Sequence, residues 1–143
     1  MNVTQVSIFI ENKPGHLQKV LKTLADSGIN IISLTIAESK DFGVLRLIVN
    51  NPSKALESLT ENHILCSSTD VLAIEIGNEP GSLYRAIDSF SKMNLNIEYM
   101  YAFSQRVNNN AVMIFRFDDI EAAKKALSET KHKIIKNTDI VGE

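Results

Sequence analysis

The tetrapeptide Asn12-Lys13-Pro14-Gly15 returns as Asn78-Glu79-Pro80-Gly81, and its surroundings return with it. With Asn12 set on Asn78, Leu17, Val20, Leu21 and Leu24 fall on Leu83, Ala86, Ile87 and Phe90. Ile29-Asn30-Ile31 falls on Leu95-Asn96-Ile97 in the same frame. Past the loop at 39–43 the offset grows by two, which places an insertion at 105–110 of the second copy. Val44-Leu45-Arg46-Leu47-Ile48-Val49 then meets Val112-Met113-Ile114-Phe115-Arg116-Phe117, and, after one further residue of offset, Thr69-Asp70 meets Thr138-Asp139. Two copies are too few for a solenoid, which needs at least three stacked units. The duplication predicts two small domains, 1–69 and 70–143, packed about an internal two-fold axis. A domain of that size is marginal as a free-standing core. No Gly- or Pro-rich linker separates the copies, so they are expected to share a sheet or an interface.

One copy can be read from its periodicities. Val6, Ile8 and Ile10 alternate with Ser7, Phe9 and Glu11, the period of a strand. Asn12 to Gly15 is a turn, because Pro fixes φ and Gly tolerates a positive one. Leu17, Val20, Leu21 and Leu24 then line one face of a helix. Gly28 suits the left-handed position that ends it, and the second copy has Asn94 there. Strands follow over 30–38 and 44–49, joined by a hairpin loop. Asn51-Pro52 opens a second helix with Ala55, Leu56 and Leu59 inside, and 64–68 forms a weak fourth strand. The order βαββαβ is the ferredoxin-like unit, so the chain is expected to be α+β, with two such repeats side by side.

The sheet face away from the helices should carry Ser7, Phe9, Val44, Arg46 and Ile48, half of it apolar and therefore covered. In the second copy strict alternation places Ile97, Tyr99, Tyr101 and Phe103 on that face, as interface or pocket wall. His16, His63 and His132 lack metal-ligand spacing; His63 and His132 open the last strands, where a solvated role is expected. Asp118-Asp119 sits at a helix start as a cap. Cys66 is the sole cysteine and is expected to be buried and inert, so no internal disulfide forms. A net charge of −2 leaves no basic footprint for nucleic acid. The first apolar stretch, broken by Thr4, Gln5 and Ser7, is neither signal peptide nor membrane span. A cytoplasmic protein is expected, without nucleic-acid or membrane partners. No nucleophile elbow, phosphate loop, metal motif or carboxylate pair is present, which predicts a non-enzyme with neither cofactor nor metal.

The strand, Asn-x-Pro-Gly, the helix, then [Gly/Asn]-[Ile/Leu]-Asn-Ile opening a second strand resembles the ACT domain, once in each copy. The nearest likeness is to the regulatory ACT domains of 3-phosphoglycerate dehydrogenase and related enzymes of amino-acid metabolism. The resemblance implies a ligand-sensing module that binds an amino acid where two domains meet. It carries the ligand contacts onto Asn12, Pro14 and Gly15 with Asn96, and onto Asn78, Pro80 and Gly81 with Asn30. Ile10 and Ile76 stand where the dehydrogenase pattern often has His, which argues against serine.

The chemistry of the turn agrees with an amino-acid ligand. The first N–H groups of a helix lack internal partners and can donate to a carboxylate. Gly15 admits close approach, and an Asn side chain both donates and accepts. Alternatively Asn30 and Asn96 simply satisfy backbone at a strand start. The first turn holds Lys13, His16 and Leu17, where the second has Glu79, Ser82 and Leu83, so the first is kinder to an anion. Opposite it the resemblance places Asn96 with Glu98, an acceptor for an ammonium, and Tyr99. The expectation is a non-catalytic regulator that binds an L-amino acid in this first pocket, as a homodimer or with a metabolic enzyme. The alternatives are a subunit that docks such an enzyme without a ligand of its own, and a small enzyme on the same fold.

Overall fold

A computed structural model describes residues 2–141 of the chain. Its elements are β1 (Val3–Glu11), α1 (His16–Asp26), β2 (Ile31–Glu38), β3 (Phe42–Val49), α2 (Pro52–Glu61) and β4 (Cys66–Ile76). They continue with α3 (Ser82–Lys92), β5 (Ile97–Ala102), β6 (Ala111–Phe117), α4 (Ile120–Ser128), β7 (Lys133–Ile135) and α5 (Asn137–Val141). This is an α+β chain with two βαββαβ repeats. It divides into one compact unit of residues 4–69 and a second of 70–141 with Asn2 and Val3.

In the first unit the strands lie in the order β2-β3-β1 and then the start of β4. Val6, Ile8, Ile10, Leu45, Leu47 and Val49 face α1 and α2, and with Val20, Leu24, Ala55 and Leu59 they form the buried core. Burial of this kind contributes about 25 cal/mol for each Å² of apolar surface removed from water. Phe9, Ser7, Arg46 and Val44 alternate onto the other face as expected; Ser7 and Ile48 there are buried, while Phe9 is half exposed. The helices end and begin by the chemistry read from the sequence. Gly28 and Asn94 take φ of 73° and 59° after their helices. The Asn51 side chain accepts from the Lys54 N–H, and Asp119 accepts from the Ala122 N–H. Such caps each contribute roughly 1 kcal/mol.

In the second unit the order is β7-β4-β6-β5. Its core is aromatic: Phe90 meets Phe115 and Phe117 edge-on at ring separations of 5.4 and 5.8 Å. The two-residue insertion forms the tip of the β5–β6 hairpin. Asn108 and Asn109 both have positive φ, and Val107 and Asn110 exchange backbone hydrogen bonds across them. That is the turn geometry whose twist matches a hairpin, and Asn tolerates it better than any residue except Gly.

Several expectations are corrected. The weak fourth strand of the first copy and the first strand of the second are one element, β4, running through Thr69-Asp70 without interruption. Thr138-Asp139, aligned with that pair, lies in a helix instead, α5. Ile97 does not share a face with Tyr99. The register slips between Ile97 and Tyr99, so Ile97 and Met100 face the helical core, and Tyr99 and Tyr101 pair with Arg116 and Ile114 on the other side. An extra residue in one strand breaks the period-two rule that the sequence reading relied on. The same slip occurs between Ile31 and Ser33. Cys66 is half-buried rather than buried. His132 is not solvated: its ring lies 5.0 Å from that of Phe90, and its Nε2 is 3.0 Å from the Ser89 Oγ.

Candidate functional site

The two Asn-x-Pro-Gly turns are built alike. Gly15 and Gly81 have φ of 89° and 87°, and neither α1 nor α3 has a side-chain cap. The Gly15 carbonyl accepts from the Lys19 N–H and the Gly81 carbonyl from the Arg85 N–H, so each helix starts immediately after its glycine. A positive φ at this place is open to Gly at little cost and to other residues only with strain. At each turn the first helical N–H donates to a turn carbonyl, His16 to Lys13 and Ser82 to Glu79, and the helix start carries no side-chain cap for the N–H groups that follow.

The surroundings differ. At the first turn a cavity of about 470 Å³ is lined by Asn12, Lys13, Pro14 and Leu17 together with Ile36 and Phe42 from the β2–β3 hairpin. Glu11 and Glu38 also reach it. Of the first-turn residues expected at the site, Asn12, Lys13, Pro14 and Leu17 line this cavity and Gly15 and His16 do not; the hairpin residues and the two glutamates were not foreseen. The signal that finds them is the register: Glu11 pairs with Phe42 and Ile10 with Gly43, which sets the hairpin end beside the turn. Ile36 and Phe42 are 43% and 62% exposed, unusual for such side chains, and give the cavity an apolar wall open to an incoming group.

Polar contacts order this turn. Lys13 pairs with Glu11 at 3.0 Å. The Lys13 ammonium hydrogen-bonds and attracts the Glu11 carboxylate, holding it below the usual carboxylate range. The Glu11 N–H donates to the His16 Nδ1 at 2.7 Å, which folds the imidazole back over the turn and sets its proton on Nε2. Asn12 is tied by its own N–H to the Asp41 carbonyl at 2.9 Å. No atom beyond the adjoining residues lies within 4 Å of the position a Gly15 side chain would take. The same position on Gly81 is 2.8 Å from the Arg85 Nη1. The approach to the backbone is therefore open at the first turn and overlaid by a guanidinium at the second.

Asn78, Glu79, Pro80 and Gly81 line a second cavity of about 470 Å³ with Tyr84 and Met113. Asn30 and Asn96 are exposed at the entrances to β2 and β5. Their backbone carbonyls accept from the Asn50 and Asp118 N–H groups. Glu98 is paired with Arg116 at 3.2 Å, so its charge is already shared. Tyr99 is half-buried on the face away from the helices. Chemically, the first turn offers donors for a carboxylate, carboxylates for an ammonium and an apolar wall.

Two ferredoxin-like repeats with the same glycine turn before the first helix define a duplicated α+β protein. The sequence profile of the family described as ACT domain pair matches residues 1–142, and the chain belongs to that family. A crystallised protein of Bacteroides thetaiotaomicron is 38% identical and superposes with a TM-score of 0.91 over 100% of this chain and 98% of its own. The ligand-free regulatory subunit of aspartate kinase from Thermus thermophilus is 20% identical, with a TM-score of 0.61 over 88% of this chain and 91% of its own. The Thermus flavus regulatory subunit is similar in fold at 18% identity and a TM-score of 0.58, over 90% of this chain and 92% of its own. No curated protein matches the sequence.

Proposed function

We propose that this protein is a non-catalytic regulator that binds an L-amino acid anchored on its first Asn-x-Pro-Gly turn. The cavity at that turn carries the reading. The uncapped start of α1 suits the ligand's carboxylate, Glu38 its ammonium, and Leu17, Ile36 and Phe42 an apolar side chain. Each charge-assisted bond contributes roughly 1.5–3 kcal/mol, which after immobilisation costs suits micromolar affinity. The apolar wall and Ile10 favour a larger, apolar side chain over serine.

Thermal-shift measurement against the twenty L-amino acids is the test. The expected result is saturable stabilisation by one or two apolar amino acids. A ligand at a hundred times its Kd stabilises by about 2.7 kcal/mol. Asn96→Ala and Glu98→Ala in the same assay ask whether the second repeat contributes to the ligand's surroundings. No shift with any amino acid, or chemical turnover of one that binds, overturns the proposal.

A further inference from the structure

Beside the second Asn-x-Pro-Gly turn, bordered by Gly77 and Ser82 at its two ends, the second unit has another cavity whose polar residues share one chemistry. It holds about 390 Å³ between α3, the end of β4 and the segment before β7. Ser82, Arg85, Ala86 and Ser89 line it from α3 at the spacing of one helical face. Lys131 and His132 close the other side.

We propose that this cavity binds a phosphate group. Arg85 and Lys131 supply two permanent positive charges, enough to match a phosphate dianion. Ser82 and Ser89 add hydroxyl donors on the same helical face. The Arg85 guanidinium donates to the Ser82 Oγ at 3.3 Å and stands between this cavity and the second turn. His132 is fixed by two independent contacts, the edge of the Phe90 ring at 5.0 Å and the Ser89 hydroxyl at 3.0 Å. Its position is set before any ligand arrives.

The acidic residue that borders the cavity does not cancel this charge. Ile74 and Ile76 face the helical core, so the intervening Glu75 projects from the opposite side of β4. Its carboxylate accepts from the Asn110 amide at 3.3 Å and lies 3.9 Å from the Lys133 ammonium. In the first repeat Lys19, Thr23, Asn62 and His63 occupy the places of Arg85, Ser89, Lys131 and His132, so the second cation is missing there, and His63 is exposed. The volume exceeds that of phosphate alone, leaving room for a carbon skeleton.

The experiment follows the His132 ring protons and the Ser89 and Arg85 amides by NMR. Inorganic phosphate, and separately glycerol 3-phosphate, is titrated into the full chain at constant ionic strength, with chloride as reference. Saturable shifts centred on these residues are expected for at least one probe. Arg85→Glu and Lys131→Glu, checked for folding by circular dichroism, are each expected to weaken binding at least about ten-fold. Lys40→Glu, on the other unit, is expected to bind as the parent does. Tighter binding of glycerol 3-phosphate assigns the remaining space to a phosphorylated metabolite, and tighter binding of inorganic phosphate assigns the site to the free ion. Shifts that grow linearly without saturating, that chloride reproduces, or that persist unchanged in folded Arg85→Glu overturn the proposal.

Discussion

At the scale of single residues, two glycines with nearly the same φ sit in different company. An L side chain at Gly15 or Gly81 incurs left-handed strain of about 1–2 kcal/mol. Gly15→Asp and Gly15→Ala are therefore expected to lower thermal stability alike. Only the Asp variant puts a carboxylate where the ligand's own is expected, so it alone loses all amino-acid stabilisation, while Gly81→Asp keeps it. Equal loss in Gly15→Asp and Gly81→Asp would contradict the assignment to the first turn. Glu11 gives a second residue-scale prediction. Lys13 lowers its folded-state pKa, so the pair's contribution to stability is present above the unfolded value and fades as pH falls through the lower folded one. An NMR titration of the Glu11 carboxyl should move up toward the ordinary range in Lys13→Met; an unmoved titration would show that Lys13 is not the cause. What a residue's type discloses was read correctly here, including Gly28, Asn94, Asn51 and Asp119 at helix ends. His132 was misread because its partners, Ser89 and Phe90, lie some forty residues earlier and meet it only in the fold.

Elements were legible where one periodicity held from end to end. The amphipathic spacing of α1 and α3 and the alternation of β1 and β3 are of this kind. Legibility failed where the chain departs from a period. The slips at Ile31/Ser33 and Ile97/Tyr99 add a residue that no alternation rule contains, and they reverse the face assigned to Ile97. The β5–β6 hairpin shows how an insertion can be absorbed. Its extra length becomes a turn with Asn108 and Asn109 in the left-handed region, and β6 then pairs with β4 along Leu72 to Ile76. Asn109→Ala is expected to destabilise by roughly 1 kcal/mol and Asn109→Gly to be neutral or stabilising. Chemical denaturation distinguishes them; equal midpoints for Ala and Gly would deny the turn its role. Phe90→Ala removes the ring that Phe115, Phe117 and His132 all touch and is expected to cost about 3–5 kcal/mol.

For the whole molecule the question is how many ligands a duplicated chain binds. Duplication preserved the backbone of both turns, including the uncapped helix starts. It did not preserve their walls. Where the first repeat has Ile36, Glu38 and Phe42, the second has Ala102, Ser104 and Asn110, and Asn110 is engaged with Glu75. Each buried methylene contributes about 0.8 kcal/mol, so exchanging Ile for Ala alone removes around 2 kcal/mol of apolar contact. A difference of 1.4 kcal/mol already means a tenfold weaker site, and the guanidinium over Gly81 further obstructs the backbone. Isothermal titration with a stabilising amino acid is therefore expected to give one ligand per chain. Two equivalent sites would show that the shared turn backbone, rather than the walls, governs binding. The converse experiment rebuilds the missing wall in the second repeat with Ala102→Ile and Asn110→Phe, and clears the approach with Arg85→Ala. In that triple variant a second binding event is expected, weaker than the first because Glu79 stands where the first turn has Lys13. If the variant folds and still binds one ligand, the walls named here do not decide where the amino acid goes.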